Sequence, residues 1–178
     1  MNSYTLGKDI IFMCKSFADK VIDTNLDEYS RRGQFNRQKI WNDIFYGKLA
    51  EWGVYFIYLE RNRLSVTTPD MKIYKGSRKS FDADLNWNLY KLHIKSQTSK
   101  SEKSYGTSWI FQSSDPLFKK SKEYDIIIGC TVDFFTEDEC VVDIKLEKQF
   151  NKLIFSEPKL SRFSENKKAL YLKDNNEQ

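Results

Sequence analysis

The chain has 178 residues, a formal net charge of +4, and 40 % hydrophobic and 15 % aromatic content. That length suits one domain able to bury its own core, and 13 Phe, 10 Tyr and 4 Trp exclude a disordered chain. A single histidine excludes a His-rich metal site, and the absence of GxxxxGK(S/T) and GxGxxG segments leaves nucleotide-cofactor chemistry without support.

Ile10, Cys14, Phe17 and Val21 recur at helical spacing, which predicts a helix over residues 9–22. The polar segment 25–33 reads as a loop. Over 36–52, the residues Ile40, Trp41, Ile44, Phe45, Leu49 and Trp52 share one side of a helix, with Glu51 at the margin of that stripe. Gly53 is placed to stop this helix. The apolar run 54–59 then reads as a central strand covered on both faces. Residues 60–80 read as irregular.

Segment 81–86 alternates, with Asp82, Asp84 and Asn86 on one side. Segment 89–97 alternates too, with Leu92 and Ile94 on one face and Lys91, His93, Lys95 and Gln97 on the other. The two read as a hairpin turning at Trp87 and Asn88. Segment 98–108, rich in Ser and Lys, reads as a mobile loop, and 109–122 as a segment with room for a short helix, Trp109 and Phe111 belonging to the core. Segments 124–130 and 139–146 are strands by their apolar, β-branched content. The element order predicts a single α/β domain over 1–178, with a mixed β-sheet flanked by helices. Its core covers roughly 36–146, followed by a basic C-terminal extension over 147–178.

No apolar run approaches the ~18–20 residues of a membrane span, and the N-terminal residues lack the pattern of a secretory signal. Cys14, Cys130 and Cys140 are odd in number, far apart and set in apolar runs, so they read as small buried hydrophobes in a reduced, cytoplasmic setting.

The modest net charge is unevenly spread. Residues 71–103 hold eight Lys/Arg (Lys72, Lys75, Arg78, Lys79, Lys91, Lys95, Lys100 and Lys103) against the three acids Asp82, Asp84 and Glu102. Residues 144–173 again hold eight against three. Basic stretches with interleaved aromatics form a candidate polyanion surface, and no membrane partner is expected. A homodimer or a heteromeric partner subunit is left open.

The hairpin is the place that can carry chemistry. A carboxylate can hold Mg²⁺ through oxygen, and a nearby ammonium can help activate a water for attack on phosphorus. Asp84 and His93 stand across a short turn from one another, and Lys95 follows on the face of His93. Asp82 shares the face of Asp84, so either acid can be the ligand.

The pattern Phe81-Asp-Ala-Asp-Leu, a short turn, then Leu92-His-Ile-Lys-Ser-Gln97 resembles the PD-(D/E)xK nuclease motif. The preceding Gly47-Lys-Leu-Ala-Glu51-Trp is similar to the helix that often carries a Glu in that family. The resemblance covers roughly residues 40–130. It implies a restriction-endonuclease-like core and divalent-metal-dependent hydrolysis of DNA phosphodiesters with Mg²⁺ or Mn²⁺. It also implies roles: Asp84 (or Asp82) and Glu51 as metal ligands, Lys95 at the attacking water, and Gln97 near the substrate phosphate. His93 takes the place of the second acidic residue. Lys72, Lys75, Arg78, Lys79, Lys100 and Lys103 become the expected DNA contacts. The departures are His93 itself, a nitrogen ligand that favours Mn²⁺ over Mg²⁺, and Ala83 before Asp84 where the family has Pro. The literal Pro69-Asp70 lies further upstream and ranks below Asp84. A catalytically inactive nucleic-acid-binding or assembly protein on the same scaffold is the alternative.

Overall fold

A computed structural model describes residues 1–31, 34–74, 83–120, 123–159 and 166–175. The elements run β1 (Ser3–Leu6), α1 (Lys8–Arg31), α2 (Arg37–Glu60), β2 (Leu85–Trp87), β3 (Tyr90–Thr98), α3 (Ser99–Tyr105), β4 (Ser108–Gln112), α4 (Leu117–Lys120), β5 (Asp125–Phe134), β6 (Cys140–Gln149) and β7 (Lys167–Tyr171). The architecture is mixed α/β, as the element order predicts.

Five strands form one sheet in the order β1-β6-β5-β3-β2. β3 and β5 are parallel, and the other pairs are antiparallel. Parallel neighbours need a crossover, and α3, β4 and α4 supply it. One face of the sheet is covered by α1 and α2, through Leu92, Ile94, Ile128 and Val142 among others. The other face carries a small antiparallel sheet of β4 and β7, which closes a second cluster of Trp109, Phe111, Ile127, Leu146, Phe150 and Leu170. The segment after residue 147 therefore contributes a strand and Phe150 to this second layer. All three cysteines are free and buried, and Trp109 and Phe111 are core.

The helices depart from expectation in two places. α1 continues through the polar segment 25–31, where a loop is predicted. α2 does not stop at Gly53, and 54–59 is helix rather than central strand. The helix lies between α1 and the sheet, so apolar residues cover most of its circumference. That pattern also reads as a doubly covered strand. Gly53 is a contact point instead of a stop: a Cβ there would collide with the Val142 side chain, so glycine lets α2 lie close on β6. α2 starts at Asn36, whose side chain accepts from the Lys39 N–H at 2.9 Å.

A hairpin forms over part of the predicted range: β2 is only Leu85–Trp87, Trp87 is paired strand rather than turn, and residues 81–82 lie outside the described residues. Leu85 stands opposite Leu92 and Trp87 opposite Tyr90, which places Asp84 across from His93. Asn88 takes the turn at φ 53°, a left-handed conformation that Asn tolerates. The segment expected as a mobile loop after β3 is helical over Ser99–Tyr105, capped by Thr98, whose hydroxyl accepts from Ser101 N.

Candidate functional site

β2 is short, and among the described residues β3 has no ladder partner on that side beyond Ile94. The Asp84 side chain closes the gap: its Oδ2 accepts the Ile94 N–H at 2.7 Å. An open cleft of about 1820 Å³ passes round this end of β3, from the α2 side of the sheet to the β4 side. Glu51, Asp84, His93, Lys95 and Gln97 all line it. The predicted site residues are thus brought to one concavity, with Asp84 and Glu51 arriving from different elements. Asp82, Lys75, Arg78 and Lys79 lie outside the described residues.

Glu51 is buried in the middle of α2. Lys48, one turn earlier, donates to Glu51 Oε2 at 2.6 Å and to the Asp70 carbonyl at 2.9 Å. This single ammonium does not compensate the carboxylate. Burial, and then the charge of nearby Asp84, push the Glu51 pKa up to about 8, against the pull of Lys48, and Asp70 adds to the push. Asp70, the literal Pro-Asp acid, is itself held below its ordinary range. Burial works against this, but hydrogen bonds from Tyr74 and the Lys72 N–H, together with Lys48, outweigh it.

His93 Nε2 and Asp125 Oδ1 are 2.9 Å apart, both side chains largely buried. Asp125 opens β5 and reaches His93 through the parallel β3–β5 register, in which Lys91 is opposite Asp125. Sequence reasoning passes over Asp125, because only this long-range pairing brings it to the site. Its one local signal is an acid at the head of a run that is otherwise apolar. Lys95 Nζ rests 4.8 Å from the Phe111 ring centre, a cation–π contact that fixes a charge in the cleft. Gln97 is expected near a phosphate. Its amide donates to Gly106 O and its carbonyl accepts from Ser108 N, so it braces the α3–β4 turn.

The expected DNA contacts are distributed differently. Lys100 and Lys103 are exposed on α3, but Ser101, Ser104 and Tyr105 of that helix line the cleft. Lys72 is exposed and is not part of the lining. The lysines that do line it are Lys39, Lys91, Lys95, Lys159 and Lys167, the last two from the basic C-terminal stretch. Glu51 and Asp125 are buried and Asp84 half-buried, while Lys39, Lys91 and Lys159 are exposed. Buried or half-buried carboxylates and exposed lysines thus share the lining, together with the exposed Asp43, which is ion-paired with Lys39 at 2.9 Å.

This lining fits a hard divalent cation in part. Mg²⁺ and Mn²⁺ are commonly held by one or two carboxylates, substrate phosphates completing the shell. Glu51 and Asp84 are two such groups whose mutual repulsion a cation relieves. Among the described residues, no three His, Cys, Asp or Glu stand as a ready-made metal group.

No helix among the described residues is long and apolar enough to cross a membrane. Comparison with known proteins returns no matching family model, no matching curated protein and no matching solved structure. The reading of function rests on the cleft.

Proposed function

We infer that the protein is a divalent-metal-dependent DNA endonuclease that hydrolyses phosphodiester bonds in the cleft beside β3. The observation that carries this reading is the buried, under-compensated Glu51 with Asp84 nearby, in a cleft that lysines also line. A buried acid with a strongly raised pKa in a cleft is a typical mark of a working site. Glu51 and Asp84 are the residues that would hold Mg²⁺ or Mn²⁺, with the second ring nitrogen of His93 the remaining donor. The cation would supply Lewis-acid polarisation of the phosphodiester and a nucleophile at neutral pH.

The chain's own residues do the rest. The lysines of the cleft draw the sugar–phosphate backbone over its acids. Lys95, steadied on Phe111, places a positive charge where negative charge grows on phosphorus during attack. Asp125 fixes the orientation of the His93 ring, and Lys48 fixes the rotamer of Glu51.

Incubation of the protein with supercoiled plasmid, with Mg²⁺ or Mn²⁺ and with excess EDTA, tests the reading. Nicking or linearisation that needs the cation, and that Asp84→Ala and Lys95→Ala abolish without unfolding the protein, is the expected result. Cleavage in EDTA, or undiminished cleavage by Lys95→Ala, rejects it.

A second reading, a non-cleaving nucleic-acid-binding protein, has one observation in its favour. His93 stands where an anionic ligand is expected, and its Nε2 is already taken by Asp125. Wild type that is silent with every metal, together with a His93→Glu variant that cleaves, selects this second reading.

A further inference from the structure

The cleft carries exposed aromatic and aliphatic faces as well as charge. Tyr105 and Tyr124 are 53 % and 40 % exposed, and both line it, as do Leu89 and Ile110 at 76 % and 40 %. The positions of the two tyrosines follow from β3. The Lys91 N–H donates to Tyr124 O at 2.9 Å, which holds Tyr124 beside the start of the strand. Gln97 Nε2 donates to Gly106 O at 3.0 Å, which holds the neighbouring Tyr105 beside its end. Six strand residues at ~3.3 Å each put the two anchoring positions, Lys91 and Gln97, about 20 Å apart along β3, with His93 and Lys95 on the strand between them. Tyr124 is backed edge-on by Tyr90, which stacks on Trp87, so the ring at that end stands on a packed aromatic column.

We propose that this cleft takes a single strand of DNA laid along β3, its bases stacking on Tyr105 and Tyr124 and its phosphates following the exposed lysines. The cleavage step rests on the endonuclease reading, whereas strand binding rests on the cleft alone. A duplex keeps its base faces inside its own stack, so exposed rings in a groove meet none of them. A single strand offers a π-face at every base, and aromatic platforms within a basic groove are the usual means of holding it. At ~3.4 Å per stacked nucleotide, the strand length between the two anchoring positions corresponds to about six nucleotides.

The test is fluorescence anisotropy in EDTA, with a labelled oligo-dT of about a dozen residues and a duplex of the same length. The single strand is expected to bind more tightly. Tyr105→Ala and Tyr124→Ala should each weaken it roughly 5- to 100-fold, the effect of losing one stacked base. The Tyr→Phe variants should retain affinity, and duplex binding should not move. A duplex bound as tightly as the single strand, or alanine variants with wild-type affinity for it, overturns the proposal. Cleavage of both substrates in Mn²⁺ is scored separately. Tyrosine-dependent strand binding without cleavage in any metal keeps this inference and removes the endonuclease reading. Metal-dependent duplex cleavage without a single-strand preference does the reverse.

Discussion

Glu51 is buried and Glu147 half-buried, and their surroundings differ in kind. Glu147 on β6 accepts from Tyr58 Oη at 2.9 Å and from Arg61 and Arg63 at 2.6 Å each. Burial alone raises its pKa, but these partners win and hold the carboxyl below its ordinary range. Arg63 is in turn stacked over Tyr58 and Trp87. Glu51 has one lysine and faces two further acids, and its pKa is pushed up to about 8. Glu147 is a clamp that joins the end of α2 to β6 and, through Arg61, to the N-terminal residues. Glu51 stabilises nothing comparable. A buried acid left short of partners is what a binding site retains, and a satisfied one is what a scaffold retains.

The largest expected difference is in activity. Lys95→Ala should lower metal-dependent cleavage about 10²–10³-fold, the usual effect of removing a group that counters transition-state charge, and Glu51→Gln should lower it comparably by weakening the hold on the cation. Glu147→Gln should keep the wild-type rate per folded molecule. Plasmid nicking at matched folded concentration, at a temperature well below the melting midpoint, measures both. A Glu147→Gln enzyme as inactive as Glu51→Gln would remove the distinction.

Stability should show the opposite ranking. Glu147→Gln leaves two guanidinium groups and a buried phenol without their acceptor charge, and should cost about 2–4 kcal/mol. With its pKa raised to about 8, Glu51 is largely protonated at neutral pH, so Glu51→Gln exchanges one uncharged group for another and should leave stability nearly unchanged. The urea midpoint, with an unaltered denaturant slope, reads out each variant. Saturating Mn²⁺ adds a further contrast. A cation that binds only the folded state at a hundred times its Kd stabilises by about 2.7 kcal/mol, so wild type should melt higher with Mn²⁺ and Glu51→Gln should not.

How much of this is legible in the sequence follows from the range of the interactions. The hairpin is local: alternation on both segments and an Asn at the turn fix the pairing that puts Asp84 opposite His93. Glu51 is visible at the edge of an apolar stripe, although its burial is not. The continuation of α2 is illegible, because Gly53 resembles a stop until Val142 is seen against it. Asp125 is illegible for a different reason. It meets His93 only through a parallel pairing whose crossover contains α3, β4 and α4, and no local period encodes that register. The lysine lining is half legible: Lys159 and Lys167 lie in a stretch whose charge marks it, but the placement of that stretch depends on β7 pairing with β4.

The smallest expected effect, and the one that separates the two glutamates most directly, is the sign of their pH dependence in metal-free buffer. A carboxyl raised in the folded state keeps its proton there, while in the unfolded chain it ionises near its ordinary value of 4.5. Between that value and about 8 the folded state binds the extra proton, so stability attributable to Glu51 falls as pH rises and levels off above about 8. Glu147 has the reverse sign: its contribution is complete above the unfolded value and is lost as acid protonates it through its lowered folded pKa. A fully linked proton changes stability by about 1.4 kcal/mol per pH unit, and solvent access and relaxation around Lys48 reduce the slope at Glu51 below that limit. Urea midpoints measured across this range should therefore decline with pH in wild type and run flatter in Glu51→Gln, while Glu147→Gln should lose its effect only towards acid. A Glu51→Gln profile parallel to wild type from pH 5 to 8 would mean that Lys48 neutralises Glu51 after all. Glu51 and Glu147 would then both belong to the scaffold.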